Sequence, residues 1–409
     1  MGTKLVTLTD GYQVAIDNLT TNIGYPNTDA FGRLRISSPY TLVQIRNFGP
    51  ARYEYISQGQ VSGSGTSFIE NADSVDLVVG PTVGLRRLKS TVPAVYQNAK
   101  SIICYLTFCF VTSGEVGVQK RIGYLDKNNE GIYIEQYGVD SYRLVLKGNN
   151  RTPRIVNRPN WDNPAIGVDF TKSVIFWVNF EYLGVGLLIC GIVIDGEYVV
   201  LHTFYNSNFL TGAYWDNPNK YLVYEIERTS AGTGSETLRP ICASAILEGG
   251  GEKSGLVNQI IINSLTTVNL GSAGAIRPIA LFKLHSNYTN ARITVNEVIT
   301  SITGQNIDSL IYIIRNPIIT GYTPNWIANS DSTIEYDFPA LPKDFSISNN
   351  LNSKDVVYVS YAGTNSSGAV NLYLTTNFNY TPVVYAVGIF TTTSNKVVSY
   401  TNIKLIEEC

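Results

Sequence analysis

Few residues in this chain have the types and spacing that chemistry needs. The histidines number two, His202 and His285, and neither has a second ligand at metal spacing, whereas a zinc site wants three or four Cys, His or carboxylate ligands. His202 follows the Asp195-Gly196 turn inside a strand-like run, so it reads as a hydrogen-bonded sheet histidine rather than a general base. Glu135 and Glu181 each sit within an apolar stretch. They are the pair to test for glycoside cleavage, which places two carboxyl groups roughly 5 to 9.5 Å apart across a bound sugar. No repeated acidic motif along one strand supports that reaction, and Glu135 fits a solvent face equally well. The Asp126–Gly131 segment, DKNNEG, begins like a calcium loop with oxygen donors at positions one, three and five and glycine at six. Position twelve, which should be a bidentate glutamate, is Tyr137, so a plain hairpin turn is expected. The nucleophile elbow, the phosphate loop and the dinucleotide fingerprint are all missing from the sequence. The expectation is a protein that is no enzyme, with no catalytic residues, no metal and no cofactor.

Aromatic side chains offer a different chemistry. The chain holds 27 tyrosines among 409 residues, while charged residues are only 15%, well below the roughly 25% of an average soluble protein. Large uncharged contact surfaces follow from that mixture. Trp161, Tyr214 and Trp215 lie in Asn- and Asp-rich loops and are candidate glycan contacts, since such rings present stacking faces with polar tips. The same rings would serve as packing beneath neighbouring subunits, the reading we favour. Net charge is −2, which steers the molecule toward neither nucleic acid nor an anionic membrane. Gly84–Lys89 (GLRRLK) is the best basic patch, short and without interleaved aromatics, and reads as a solvated turn or strand edge.

The stretch that must position these groups is Val174 to Phe204. It reads as three consecutive strands, Val174–Tyr182, Leu187–Ile194 and Glu197–Phe204, turned by Gly184–Gly186 and by the two-residue hairpin signal Asp195-Gly196. A membrane span over the same residues fails, because Asn179, Glu181 and three glycines interrupt it and an acidic side chain at mid-bilayer costs about 2.5 to 3.5 kcal/mol. No membrane insertion is expected. Elsewhere, apolar runs bounded by Gly and Asn clusters recur, including Ile102–Val111, Gln119–Leu125, Ile132–Tyr137, Tyr142–Lys147 and Leu238–Leu247. No segment keeps a helical stripe. The pattern predicts an all-β fold, a jelly-roll or concanavalin-like antiparallel β-sandwich with additional smaller β regions.

The organisation expected is an extended N-terminal arm over 1–50, a main sandwich over 51–263, a second β region over 264–340 and a C-terminal β region over 341–409, the last two forming either separate regions or one domain. The final region alternates apolar and polar residues, so one face should be wet or should meet another subunit. Cys104, Cys109 and Cys190 lie in apolar runs and should be buried reduced thiols, as in a protein that folds in a cytoplasm. The first twenty residues carry Lys4, Asp10 and Asp17 and no apolar core of a secretory signal. Within the arm, Phe31, Arg33 and Arg35 fit either a strand entered from a turn or a docking segment whose arginines meet carboxylates on a neighbour.

Several of these segments resemble, in matching order, a family of virion structural proteins of tailed bacteriophages and other large double-stranded DNA viruses. The resemblance opens at Asp29–Ser37 (DAFGRLRIS) and continues through Gln119–Asp126, Gly131–Tyr133, Ile175–Trp177, Tyr182–Gly186 and Val193–Gly196. It runs on through Ile241–Ser244, Ile246–Gly250, Arg315–Gly321 and Ile334–Asp337. It covers about Asn27 to Asp337, and the part after Phe338 matches only loosely. The resemblance implies a component of an assembled particle (minor capsid, decoration, vertex, tail or fibre protein), located in the virion after assembly in the host cytoplasm. Its partners would be copies of itself and other virion proteins, with no nucleic acid. It implies no catalytic residues. The alternative is an adhesin on a tail or fibre that binds a host-surface glycan or receptor.

Overall fold

The structure is a computed structural model. It describes residues 5–7, 13–15, 38–46, 56–63, 66–71, 74–148, 151–164, 166–248, 255–262, 268–303, 309–328, 332–350, 355–362 and 366–408. The fold is all-β and antiparallel, as expected from the sequence. Its contacts divide into two units, Met1–Ser90 with Tyr96–Glu252, and Thr91–Val95 with Lys253–Cys409. Among the described residues no helix is long and apolar enough to cross a membrane.

The first unit is a sandwich of two sheets. One has seven strands in the spatial order Arg154–Asn157 (β12), Tyr142–Lys147 (β11), Gly131–Gln136 (β10), Val118–Leu125 (β9), Tyr221–Arg228 (β16), Gly84–Ser90 (β7) and Ile56–Gly63 (β4). The other runs Glu197–Phe204 (β15), Leu188–Ile194 (β14), Val174–Phe180 (β13), Ile102–Cys109 (β8), Glu236–Leu247 (β17), Ser74–Val79 (β6) and Thr66–Asn71 (β5). Tyr40–Arg46 (β3) pairs with the second half of β17, where β6 has ended. Leu42, Val43 and Ile45 of β3 are buried, so the arm expected over 1–50 gives up its last part to the sheet. An apolar alternation in YTLVQIR supplies the edge that β17 would otherwise leave bare. Leu5–Thr7 (β1) and Gln13–Ala15 (β2) pair as a two-stranded antiparallel sheet among the described residues. Phe31, Arg33 and Arg35 lie outside the described residues.

The hairpins of the central stretch form where the sequence places them. β13, β14 and β15 are neighbours in one sheet, and Asp195 and Gly196 both take positive φ, 51° and 82°, the pairing that a two-residue turn between right-twisted strands requires. Gly191 lies opposite Trp177 in the ladder. Its missing side chain makes room for the indole, which a Cβ there would overlap, and Trp177 Nε1 donates to Ile192 O at 3.1 Å. Cys104, Cys109 and Cys190 are free and buried in this unit, and Cys242 is exposed.

The second unit is also a sandwich. One sheet orders Leu256–Ile262 (β18), Val397–Glu408 (β30), Arg292–Thr303 (β21) and Ser366–Tyr373 (β28), with Val268–Asn269 (β19) beside β30. The other centres on Ile276–Leu284 (β20), Tyr385–Thr391 (β29), Ser309–Arg315 (β22) and Val356–Ala362 (β27). Phe282, Ile313 and Val387 of one sheet share a core with Val295, Ile403 and Leu405 of the other. The two β regions expected over 264–340 and 341–409 are therefore one unit. It begins earlier than 264 because β18 pairs along its whole length with β30 near the C-terminus.

Candidate functional site

A row of paired ionisable groups crosses the middle of the seven-stranded sheet. Arg87 of β7 lies opposite Glu225 of β16, Glu225 opposite Arg121 of β9, Arg121 opposite Glu135 of β10, and Glu135 opposite Arg143 of β11. Side chains in direct register point to the same side of a sheet, so five strands set alternating charges on one face. The neighbouring residues point the other way, into the sandwich. Tyr124 packs on Phe180 with ring centroids 5.4 Å apart, and the Tyr224 hydroxyl donates to Cys242 O at 2.7 Å.

Arg121 joins the row together. Its Nε meets Glu135 Oε1 at 2.8 Å, and its Nη1 meets Glu225 Oε1 at 2.6 Å and Glu227 Oε2 at 2.8 Å. Arg87 Nε donates to Glu225 Oε2 at 2.7 Å, and Arg143 Nε donates to Glu135 Oε2. Glu135 and Glu225 are each 1% exposed. Burial by itself would raise the Glu225 carboxyl, but Arg87 and Arg121 outweigh it and hold the group below its ordinary value. Burial likewise opposes the charge on Arg121, and Glu225, Glu135 and Glu227 together raise it above the ordinary guanidinium range. Arg87, Arg121 and Arg143 balance Glu135, Glu225 and Glu227, so the row closes electrically on itself.

GLRRLK, expected as a solvated turn or strand edge, is instead the inner strand β7, with Leu88 and Lys89 fully buried. Burial, with Arg87 nearby, holds the Lys89 ammonium well below its ordinary value, and Lys89 Nζ sits 4.0 Å from the centre of the Tyr221 ring. Arg87 stays inside because it pairs with Glu225 of the neighbouring strand.

The calcium-like loop is a hairpin turn between β9 and β10, as expected. Its carboxylates hold a side chain of the protein. Lys220 Nζ lies 2.9 Å from Asp126 Oδ2 and 3.2 Å from Glu130 Oε1, fully buried. Asp126 Oδ1 accepts from the backbone N–H of Asn128 at 2.8 Å and of Glu130 at 3.1 Å. Burial raises the Glu130 carboxyl, with Lys220 acting against it. Among the described residues no group of three or more His, Cys, Asp or Glu gathers to hold a metal ion.

Glu135 and Glu181 are not brought together. Glu135 sits in the charge row, and Glu181 follows β13 in the opposite sheet, buried. Trp161, Tyr214 and Trp215 are also buried. Trp215 packs against Tyr124, Phe180, Tyr182 and Tyr214, and Trp161 stands edge-on to Phe170 with its Nε1 donating to Val156 O at 2.9 Å. Buried rings offer no stacking face, so the glycan-contact expectation for these three side chains does not hold in this structure. His202 Nδ1 meets Asp162 Oδ1 at 2.8 Å, and His285 Nδ1 accepts from Asn287 N–H at 3.1 Å.

No family model matches the sequence, and no curated protein matches it. Solved structures with a similar chain path include the CBM2 module of Lactobacillus casei BL23 phage J-1 evolved Dit, at TM-score 0.36 and 8% identity over 53% of this chain and 99% of that one. A β-glucanase of Bacillus licheniformis gives TM-score 0.34 and 12% identity over 50% and 97%. A legume lectin-like domain from Entamoeba histolytica gives 0.31 and 10% over 49% and 95%. A sialidase gives 0.31 and 10% over 46% of this chain, which spans 17% of that protein. Scores this low give no argument about activity or ligand.

Proposed function

We propose that this chain is a structural component of a viral particle and that it works through subunit contacts. The observation that carries the reading is the closure of the charge row. A glycosidase's two carboxyl groups flank a bound sugar and exchange protons with it, whereas Glu135 and Glu225 share Arg121 and each has a further guanidinium of its own. Lys220 spends the other acidic pair in the same way. Charges consumed inside the sheets leave apolar and tyrosine side chains to make contacts, the composition expected of interface cores. The ordered sequence resemblance from Asn27 to Asp337 supports the same reading. The adhesin alternative loses its nominated contacts with the burial of Trp161, Tyr214 and Trp215.

The test is to purify particles from infected cells and look for the chain by mass spectrometry and labelling. It should be present in fixed copy number, and a chain lacking residues 1–38 should fold yet fail to incorporate. A chain absent from purified particles overturns the proposal, and normal incorporation of the truncation removes the arm from it.

A further inference from the structure

Lys220, Asp126 and Glu130 are placed to do more than balance charge. One ammonium needs one carboxylate, yet Lys220 Nζ has two carboxyl groups against it, Asp126 Oδ2 at 2.9 Å and Glu130 Oε1 at 3.2 Å. All three residues are cut off from water, with Asp126 and Glu130 4% exposed and Lys220 not at all. The Trp215 ring lies 5.5 Å from the amine and packs on the buried Tyr124.

The pocket also fixes the atoms that could react. Asp126 Oδ1 accepts from the N–H groups of Asn128 and Glu130, two donors that converge where negative charge would collect if Cγ were attacked. Glu130 Oε1 accepts from Asp216 N–H at 3.0 Å. Lys220 N–H donates to the Tyr124 hydroxyl at 3.1 Å, and that hydroxyl donates to Pro218 O at 2.8 Å. Such placement replaces the chance encounter of an amine and an acid with a contact already made. Burial raises the Glu130 carboxyl, which suits an acid that must hold a proton near neutral pH.

We propose that Lys220 and Asp126 join through a side-chain amide bond formed by the folded chain itself, with Glu130 relaying protons. An ammonium and a carboxylate differ from their amide by one water, so no outside reactant is needed. A proton passes from Nζ to Oδ2 across their contact, which leaves a neutral amine facing a neutral acid. The nitrogen lone pair then attacks Cγ, and the π electrons of the carbonyl move onto Oδ1, where the two N–H donors hold them. Glu130, within reach of the nitrogen, takes a proton from it and gives its own to the Oδ2 hydroxyl. The Cγ–Oδ2 bond breaks, water leaves, the carbonyl re-forms, and Glu130 ends as it began.

Lys120 provides the contrast. Its Nζ meets one carboxylate, Glu236 Oε2 at 2.7 Å, beside Phe110 O and Thr112 Oγ1, so among the described residues it has no second acid to relay a proton. The proposed bond ties β9 to β16 one step beyond the Leu125–Tyr221 pair, between residues 94 apart in the chain. It does not depend on the structural-component reading.

Intact-mass spectrometry of the denatured full chain tests it. The wild type should be lighter than its sequence by the mass of one water. Tryptic digestion should leave Lys220 uncut, with its peptide joined to Ile122–Lys127. Lys220→Arg and Glu130→Gln should each return to the full sequence mass with unchanged circular dichroism. Where a variant does not fold, the branched peptide of the wild type decides alone. A wild type at full sequence mass overturns the inference. Water loss that persists in Lys220→Arg, as an imide at Asp195-Gly196 would give, also overturns it, and a bond formed equally in Glu130→Gln overturns the relay.

Discussion

Replacing Arg121 with methionine removes the guanidinium that Glu135, Glu225 and Glu227 share, and keeps most of its length and hydrocarbon stem. Glu225 retains Arg87 and Glu135 retains Arg143, yet both carboxylates stay at 1% exposure with less compensation. Removing one partner of a buried ion pair costs about 3 to 5 kcal/mol, chiefly because the other charge is left stranded. For a unit of this size that corresponds to a fall in melting temperature of about 6 to 20 °C. Trp161, Trp177 and Trp215 belong to the first unit and Trp326 to the second, so tryptophan fluorescence in urea reports mainly the unit that carries the row. The pH dependence separates this account from a simple packing loss. In the wild type the folded-state value of Glu225 is depressed, so its contribution is present above the ordinary glutamate pKa of about 4.3 and fades as pH falls through the lower folded value. In Arg121→Met the Glu225 carboxyl loses one of the two guanidiniums that lower it and moves upward, and protonation relieves it as pH falls. The difference between the two proteins should be full at neutral pH and shrink toward pH 4. A difference below about 1 kcal/mol, as for an exposed pair, or one that ignores pH, refutes the reasoning.

Gly191→Ala should destabilise the first unit by about 1 to 3 kcal/mol, because the added Cβ overlaps the Trp177 indole, and an unchanged urea midpoint would count against that packing. Trp215→Ala should cost about 3 to 5 kcal/mol through the cavity left among Tyr124, Phe180 and Tyr182, and a glycan array should give the same result for it as for the wild type. Calcium should neither raise the melting temperature nor give a saturable heat, since Lys220 holds Asp126 and Glu130. Stoichiometric binding that disappears in Asp126→Asn would show that the lysine yields.

The strands were legible because burial leaves its mark on each one separately. Val174 to Phe204 gave away its three strands through β-branched and aromatic runs and through Asp195-Gly196, whose backbone conformation few other pairs adopt. The charge row left a fainter mark. Arg121, Glu135 and Glu225 stand in VQKRIGYL, GIYIEQ and YLVYEIER, strands otherwise mostly apolar, and a charge buried in such a run implies an opposite charge somewhere else. What sequence cannot supply is which one, since Arg121 and Glu225 are 104 residues apart and meet only through the register of β9 on β16. The same reasoning explains the misreading of GLRRLK and of the Trp215 loop. Composition makes basic residues and Asn-rich loops appear solvated, while the neighbours that bury them come from distant strands.

The placement of the row bears on why a weakly charged chain keeps so many ions in one sheet. Sliding β9 by one residue against β16 would turn Arg121 to the opposite face, beside Tyr224 or Ile226 of β16, and would take its guanidinium away from Glu225, since side chains alternate along a strand. Sliding it by two would bring Arg121 opposite Val223 or Glu227 and separate Glu225 from one of its two cations. An apolar ladder would tolerate the second shift with little loss, because one aliphatic residue replaces another. Alternating charges over five strands penalise every wrong register by a stranded buried ion, so the row specifies alignment even where its net contribution to stability is small. A sheet whose alignment is fixed this way can carry uncharged and aromatic loops at its margins without sliding to bury them.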